Sequence, residues 1–575
     1  MVGKIISKGK KLIFSAQTSV LSAATIIMLM VVASRVLGLV RQRVLAHFFG
    51  AGELSLFFAA FRLPDLVFEV LVFGTFSSAF IPVFTKALRK GRKNAWNTAT
   101  SVTNIGVLVF LFVGIILAAF ANPLYSLFAP GYDLAQRAQV VKIARILFAA
   151  QGFFVVSYVL TSVLESLRRF LVPALAPLFY NLGIILGTIL LVGKYGLLAP
   201  ALGVLLGAFL HFLIQLPLAI KLGFRFFPKI VVTKDVRTIG KLALPRIIEV
   251  SFLQVSKLVE LSLASIISTA SYTYFTFAST LQFLPVGLFG ASVAKAALPT
   301  LARQENDPSE FRKTLFGALY QIIFFVAPMA GVLIILRIPL VRLIFGTDIF
   351  SWESTVQTGL VVSAFALGVV FQSAVSILAR GFYALHDTKT PVVVSISSIL
   401  VIIVMDFVFI KGFSLPVWGL AFSFSIGAAI QATILLYLIN KKTSGKSFLA
   451  LLVSPFKILL ASLGSGTTMF FLLKIFDRSV WVKRLSFLGQ IEATRIIPFE
   501  RFVLDTRYTA NLIALTFLVT SVGVFIYLAI SMLLGLKEVW GFFGLAKGIL
   551  IRHKVLAIPK KETEPVSPPP TDTQT

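Results

Sequence analysis

Long apolar runs separated by short polar connections recur along the whole chain. A helix needs about 20 mainly apolar residues to cross the hydrocarbon core of a bilayer, and fourteen runs reach that length. They cover residues 16–40, 54–84, 102–122, 140–164, 172–193, 197–220, 242–267, 272–300, 314–336, 355–379, 391–410, 416–439, 450–474 and 509–535. We therefore predict an all-α, polytopic membrane protein with about 14 transmembrane helices and with both termini on the same side of the membrane.

Composition excludes several other classes of protein. Of the 575 residues, 58% are hydrophobic and only 13% are charged, whereas a soluble protein carries roughly 25% charged residues. A water-soluble enzyme and a disordered chain are therefore both excluded. The chain has no Cys and only four His, so thiolate metal sites and disulfides drop out. We expect no metal, no cofactor and no enzymatic activity, because no nucleophile–base pair stands out.

The net charge of +30 is distributed unevenly among the connections. If the N-terminus is cytoplasmic, the inside segments carry 31 Lys and Arg and the outside loops carry 13. Positive charge concentrates on the cytoplasmic side of membrane proteins, so this orientation is favoured, and it explains the basicity without nucleic acid. Residues 1–15 become a basic cytoplasmic N-terminus, 221–241 a cytoplasmic linker, and 536–575 a basic interfacial segment with a disordered tail.

Two pairs of proline landmarks indicate an internal repeat. Pro82 and Pro299, which close the second and eighth runs, are 217 residues apart, and Pro173 and Pro391, which follow basic turns, are 218 apart. Transporters are often built from such repeats, although proline-rich helix starts also occur without duplication. The predicted units are an N-lobe at 16–220 (helices 1–6), a C-lobe at 242–440 (helices 7–12), and helices 13–14 at 450–535 with an outside loop at 475–508.

Ionisable residues inside the predicted spans are candidates for a binding site, because they are costly in a membrane. In the second and seventh runs they recur at helical spacing and form narrow stripes. The candidates are Arg35, Arg41, Arg62, Glu69, Arg246, Glu249, Lys257, Glu260 and Lys295. A cavity that they line would suit a phosphorylated anion, since Arg binds phosphate bidentately. The alternative is that the stripes pair internally and bind nothing, and Lys295 could reach the inner surface.

Asp406 is a lone acidic residue within the eleventh run, among Ile, Val, Met and Phe. It is a candidate site for a coupling proton or cation. A neutral, hydrogen-bonded carboxyl group is the equal alternative.

Several motifs resemble the MurJ/MviN lipid II flippase family over about residues 16–440. They are Ser34-Arg35-Val36-Leu37-Gly38 with Arg41, Phe49-Gly50-Ala51-Gly52, Ala79-Phe80-x-Pro82, the Pro173–Asn181 helix start, and Gly381-Phe-Tyr-Ala384-x-x-Asp387-x-Lys389-Thr-Pro391. Each is weak alone, but the combination is specific.

The resemblance implies a transporter of the MOP superfamily, with two lobes around a central cationic cavity. It implies that an undecaprenyl-pyrophosphate disaccharide-pentapeptide is moved from the inner to the outer leaflet by alternating access. Arg35 and Arg41 match the two arginines of the family's first span that engage the pyrophosphate. Spans 13 and 14 resemble the family's groove for the lipid tail.

Three positions depart from the family pattern. Ser55 stands where an acidic residue often occurs, Phe73 replaces a glutamate, and Thr280 replaces a cavity arginine. These departures affect the headgroup that the cavity would recognise.

The sequence therefore predicts a lipid II flippase of the bacterial inner membrane, with membrane lipids and cell-wall synthesis proteins as partners. The alternatives are a flippase for another polyprenyl-pyrophosphate-linked glycan and a membrane scaffold of cell-envelope assembly that does not transport. A drug exporter is disfavoured, because its cavity would be dominated by acidic residues.

Overall fold

A computed structural model describes residues 20–73, 80–225, 233–443, 448–477, 504–506, 508–541 and 544. The predicted basic N-terminus, most of the loop at 475–508 and nearly all of the C-terminal interfacial segment and tail lie outside these residues. The same is true of part of the cytoplasmic linker.

The described chain is built from long helices joined by short connections. The main α-helices are α1 (Val20–Phe48), α2 (Ala51–Ala60), α3 (Arg62–Phe68), α4 (Ile81–Lys90), α5 (Arg92–Ala119), α6 (Ala121–Phe128), α7 (Leu134–Ser166), α8 (Leu171–Tyr195), α9 (Leu198–Lys221), α10 (Lys234–Ile267), α11 (Ser271–Pro285), α12 (Ser292–Arg303), α13 (Pro308–Ile335), α14 (Arg337–Phe345), α15 (Trp352–Ala384), α16 (Lys389–Phe407), α17 (Trp418–Lys442), α18 (Phe448–Phe476) and α19 (Thr509–Leu533). Three π-helical segments follow α3, α11 and α16, at Glu69–Phe73, Val286–Ala291 and Val408–Gly412.

Twelve helical segments among the described residues are long and apolar enough to cross a membrane. Together with α1 and the interrupted second segment, they correspond to the fourteen predicted runs. The prediction of an all-α, polytopic membrane protein is confirmed.

The second predicted span, 54–84, is not one continuous helix. It is divided at Phe61, where α2 ends and α3 begins, and it turns π-helical at Glu69. Pro64 has no N–H with which to bond the carbonyl of Ala60 four residues earlier. The Tyr125 hydroxyl donates to that carbonyl at 2.8 Å, so a side chain of α6 supplies the hydrogen bond that the helix cannot make. The division sets the direction in which Arg62 leaves the helix.

The second predicted span of each half contains a π-helical segment. Glu69 and Val286, at which these segments begin, are 217 residues apart, which is also the separation of Pro82 and Pro299. A π-turn inserts an extra residue into the helix and redirects the side chains beyond it. The two halves therefore share an irregularity as well as their proline landmarks.

Helix packing divides the chain into two groups, which we call the first-half helices (α1–α9) and the second-half helices (α10–α17). In the first, α8 packs against α9 and α1, and α7 packs against α9 and α5. In the second, α15 packs against α17, α13 and α11. The groups meet where α2 contacts α11, where α10 contacts α3–α6, and where α14 contacts α1. Helix α18 packs against α13 and α19.

Glycines allow α8 and α9 to approach closely. A Cβ atom on Gly183 would lie 2.4 Å from the Cα of Gly207, and one on Gly187 would lie 2.3 Å from the Cα of Gly203. Both helices thus carry glycines four residues apart at their contact, as small-residue interfaces in membranes do. This contact fixes α8, which carries Tyr180 into the candidate site.

We expect Tyr125→Phe to lower the free energy of unfolding by about 1–3 kcal/mol, the usual cost of a buried carbonyl without a hydrogen-bond partner. Thermal unfolding of the purified protein in detergent would measure the loss. Tyr437→Phe is the matched control, because the Tyr437 side chain is exposed. Equal unfolding temperatures for the two variants would contradict a role for the Tyr125 hydroxyl in closing the break.

Candidate functional site

A small polar cavity lies between α1, α2, α3, α8 and α11, where the two groups of helices meet. Its volume is about 160 Å³. The polar side chains that line it are those of Arg41, Gln42, Arg62, Asp65, Tyr180 and Thr276. Phe57, Phe58 and Phe61 form much of the apolar wall. We call this space the central cavity.

The two arginines of the central cavity are incompletely hydrogen-bonded. The Nε atoms of Arg41 and Arg62 are buried and have no hydrogen-bond partner among the described residues. The Arg62 guanidinium lies over the ring of Tyr272, 5.6 Å from its centroid, which stabilises the cation through the ring quadrupole. Buried N–H groups without partners are rare in proteins, so these donors are available to a ligand.

Carboxylates from both groups of helices surround Arg62. Asp65 lies one helical turn after it on α3 and accepts a hydrogen bond of 2.7 Å from Gln151 of α7. Glu260 of α10 lies within electrostatic range of Arg62 across the boundary between the groups. Compensation of this kind is required of charges in an apolar interior.

An ion pair connects the π-helical segment of the first half to α10 of the second. Lys257 Nζ lies 3.2 Å from Glu69 Oε2, and both side chains remain 34% exposed. Gln254, one turn before Lys257, also donates to this carboxylate oxygen. The predicted charge stripes of the second and seventh spans therefore face each other at this pair, which joins two helices rather than residues of one helix.

Two of the positions that depart from the family pattern also lie at this boundary. The hydroxyls of Ser55 and Thr273 are 2.9 Å apart, and Thr273 also donates to the carbonyl of Ala51 at 2.6 Å. Gln42 donates to the Thr280 hydroxyl at 3.0 Å. Neutral hydrogen bonds between the halves thus occupy positions where the family resemblance implies charged residues.

Arg35 does not line the central cavity. It lies on α1 almost two turns before Arg41, its side chain is exposed, and its Nη2 lies 3.9 Å from a Cβ built on Gly287. It therefore lies beside the π-helical segment of the second half, closer to the N-terminal end of α1 than the cavity that holds Arg41 and Arg62.

Three other predicted residues lie away from the central cavity. Lys295 is exposed on α12 and interacts electrostatically with Glu165 of α7 across the boundary. Glu249 is half-buried on α10. The side chain of Arg246 lies outside the described residues.

Asp406 is completely buried on α16. Neither of its carboxyl oxygens accepts a well-aligned hydrogen bond among the described residues, and the groups that act on this carboxyl are Glu260, electrostatically, and the hydroxyl of Ser423. Its role as a site for a coupling proton or cation stays a prediction.

Sequence reasoning missed the uncharged members of the site. Tyr180 and Gln42 line the central cavity, Gln151 donates to Asp65 of that cavity, and Gln254 donates to Glu69 nearby on the boundary. The signal that could have found them is an amide or phenol inside a strongly apolar span, since such groups also need partners in a membrane.

Comparison with known proteins identifies the family. The family model described as "Lipid II flippase MurJ" matches residues 45–489. The chain belongs to the MurJ family. Among its relatives, the "Probable lipid II flippase MurJ" of Haemophilus influenzae is 30% identical, over 72% of this chain and 84% of the relative. The corresponding protein of Vibrio cholerae is also 30% identical, over 72% and 82% of the two chains.

Solved structures place the chain in the same fold. It is similar to "Lipid II flippase MurJ, inward closed conformation", with a TM-score of 0.69, 26% identity, and coverage of 87% of this chain and 98% of that one. An inward-facing multidrug resistance MATE family transporter of the MOP superfamily has a TM-score of 0.61 at 13% identity, and covers 72% of this chain and 94% of its own. That second likeness concerns the fold alone. The predicted resemblance to the MurJ family is confirmed.

A double-mutant cycle tests the pair that joins the halves of this MurJ family member. We expect Glu69→Gln and Lys257→Gln each to lower the free energy of unfolding, and the double variant to lose less than their sum. The coupling should be about 0.5–1 kcal/mol, because both side chains are partly exposed. Unfolding in detergent micelles would measure it, and strictly additive losses would contradict the pairing. The exposed pair of Lys313 and Glu310 is the control, with an expected coupling near zero.

Proposed function

We propose that the protein is a lipid II flippase, which moves the lipid-linked peptidoglycan precursor from the inner to the outer leaflet of the bacterial inner membrane. The observation that carries this proposal is the central cavity at the boundary between the halves, with two arginines whose buried Nε atoms have no partners. Membership of the MurJ family supports the same substrate.

The chemistry of the cavity suits a pyrophosphate. A guanidinium presents its donors in a planar fork that matches phosphate oxygens, and the bonds are strengthened by charge. Arg41 and Arg62 project from different helices into one space, so they can hold two phosphoryl groups of one ligand. Arg35, exposed almost two turns away on α1, would receive the anion on its way into the cavity.

Alternating access is the proposed mechanism, with the first-half and second-half helices moving as the predicted N-lobe and C-lobe. The polar contacts that cross the boundary include the pair of Glu69 and Lys257, whose side chains are both one-third exposed. Partly exposed pairs contribute little net free energy, so they can break when the lobes rock. Phosphate binding to Arg62 would weaken its attraction for Glu260 and so favour that movement.

An apolar cavity of about 520 Å³ is suited to the polyprenyl tail. It lies between α13, α15, α17 and α18, and its lining is almost entirely aliphatic and aromatic. Of the two last spans expected to form the tail groove, α18 lines this cavity and α19 does not. The tail could therefore stay in an apolar surrounding while the headgroup occupies the central cavity.

The proposed orientation has both termini in the cytoplasm, as the distribution of basic residues favours. Membrane lipids surround the protein, and cell-wall synthesis proteins would supply and consume the substrate. No chemical change of the substrate is part of this proposal.

A flippase for another polyprenyl-pyrophosphate-linked glycan is the second candidate. It is favoured by Ser55 and Thr280, which form neutral hydrogen bonds between the halves where the family resemblance implies charges. Those bonds leave the arginine site intact but alter its surroundings, so the pyrophosphate would be kept and the attached glycan would differ.

Coupling to an ion is proposed at Asp406 together with Glu260. Two carboxyl groups that act on each other in an apolar interior cannot both stay ionised without a counter-charge. Glu260 also acts on Arg62 of the central cavity, so the binding of a cation or proton at this pair changes the charge balance where the substrate binds. The pair thus connects ion binding to the state of the cavity.

The first test is complementation of a bacterium depleted of its own lipid II flippase. We expect the wild type to restore growth, and Arg35→Ala and Arg41→Ala to fail. Losing a charge-assisted hydrogen bond costs about 1.5–3 kcal/mol, which corresponds to roughly a tenfold to hundredfold slower translocation. Arg303→Ala, an exposed arginine at the end of α12, is the matched control and should rescue.

The possible outcomes separate the candidates. If both variants still restore growth, the proposed arginine site is contradicted, while the proposed flippase function remains supported. Failure of a membrane-inserted wild type would count against lipid II and favour another lipid-linked glycan or a scaffold.

A second prediction concerns Asp406→Asn, which cannot take up a proton or hold a cation by charge. We expect translocation of lipid II in reconstituted vesicles to lose its acceleration by an imposed Na⁺ or proton gradient, while lipid II binding is kept. Glu310→Gln removes a surface carboxylate and should keep the acceleration. A gradient response of Asp406→Asn equal to that of the wild type would exclude Asp406 from coupling.

A further inference from the structure

A second, larger basic cavity lies at the end of the bundle where α1 ends. Its volume is about 1060 Å³, and its walls come from α1, α14, α18, α19 and the connection between α14 and α15, with single residues from α8, α13 and α15. It shares no lining residue with the central cavity. In the proposed orientation this end faces outward, so we call it the outer cavity.

Cations outnumber carboxylates in the outer cavity. Its lining includes Arg43, Arg337, Arg342 and Lys474, against Asp348 and Asp477. Among the described residues, no carboxylate oxygen lies within 4 Å of a nitrogen of any of these four cations. Among the described residues, the walls therefore carry more positive than negative charge.

The arginines are held in place by neutral carbonyl groups. Arg43 donates to the carbonyl of Leu343 at 2.6 Å, and Arg342 donates to the carbonyls of Thr347 and Phe350 at 3.3 and 3.2 Å. A carbonyl orients a guanidinium without cancelling its charge. The arrangement thus presents fixed cations to the cavity.

Arg337 carries the most specific signal. One of its terminal nitrogens donates to the carbonyl of Ile334 at 3.0 Å, but its Nε is buried and has no partner among the described residues. A buried guanidinium donor without a partner is costly, and an anion in the cavity would remove that cost. Trp352, Phe470, Leu473 and Leu512 give the same cavity an apolar wall.

We propose that the outer cavity is a second binding site, for the phosphoryl group of an anionic amphiphile. This inference rests on the proposed flippase function, because it places the site on the side where the substrate leaves. The unpartnered Arg337 and the surrounding cations would bind the phosphate, and the aromatic and aliphatic wall would contact the start of the chain. A diphosphate released from Arg41 and Arg62 would then meet a second set of arginines before it enters the outer leaflet.

The chain offers a clean reporter, because it has no native cysteine. Val40 lines the outer cavity and is 45% exposed, so Val40→Cys places one thiol at the site. The rate at which an uncharged maleimide labels this thiol is measured in purified protein with and without farnesyl diphosphate. Farnesol is the matched compound without phosphate, and inorganic pyrophosphate is the matched compound without a chain.

We expect farnesyl diphosphate to slow labelling by about threefold or more and farnesol to have no effect. Protection by pyrophosphate alone would show that a free phosphoryl anion suffices, and protection by farnesyl diphosphate alone would assign the site to lipid-linked headgroups. Adding Arg337→Gln and Lys474→Gln to the reporter should abolish protection, and adding Arg303→Gln should not.

The proposal is overturned if no phosphate compound slows labelling, if farnesol protects equally, or if protection survives the loss of Arg337 and Lys474. The same measurement in an Arg35→Ala/Arg41→Ala background separates this site from the flippase function. Loss of complementation there with protection intact would show that the outer cavity binds phosphate independently of the central one.

Discussion

The structure depends on one electrostatic constraint, which is that a guanidinium in an apolar interior must be compensated. Arg62 meets this constraint with the ring of Tyr272, with Asp65 on its own helix, and with Glu260 from the opposite half. Because Glu260 belongs to the opposite half, the electrostatic stabilisation of the Arg62 cation depends on the relative position of the two halves. A ligand that brings its own negative charge changes which partners Arg62 needs. In the proposed mechanism, binding and rearrangement would therefore be linked through the Arg62 side chain.

The internal repeat explains why the compensation crosses the boundary. Residues 218 apart meet directly at Ser55 and Thr273, as equivalent positions do near a pseudo-twofold axis. The same offset relates Gln42 to Glu260 and Arg62 to Thr280. The hydrogen bond from Gln42 to Thr280 is therefore the neutral counterpart of the attraction between Arg62 and Glu260. One copy of the contact has kept charge, and the other has only a hydrogen bond.

Periodicity and composition predict the helices well because each span must satisfy its own backbone in a bilayer. They also place the charge stripes that contain Glu69 and Lys257, since helical spacing fixes which residues share a face. They do not predict the break at Phe61, where the carbonyl freed by Pro64 is bonded by Tyr125 from another helix. Nor do they predict that Arg41 lines the central cavity while Arg35 is exposed, because the burial of each arginine depends on the helices that pack around it. Tertiary contacts decide those points, and the contribution of Tyr180 and Gln151 is of the same kind.

The distribution of polar and apolar cavities matches what an amphiphile requires. A headgroup with two phosphates cannot cross the hydrocarbon core without cations and hydrogen-bond donors, whereas its chain loses nothing by staying in an apolar surrounding. The basic central cavity lies between the halves, and the apolar cavity lies between second-half helices and α18. Because α18 also lines the outer cavity, one helix borders both the apolar cavity and the outer set of cations. Under the proposed function, a substrate that moves along α18 would keep its chain in contact with apolar side chains while its phosphates pass from one set of cations to the other.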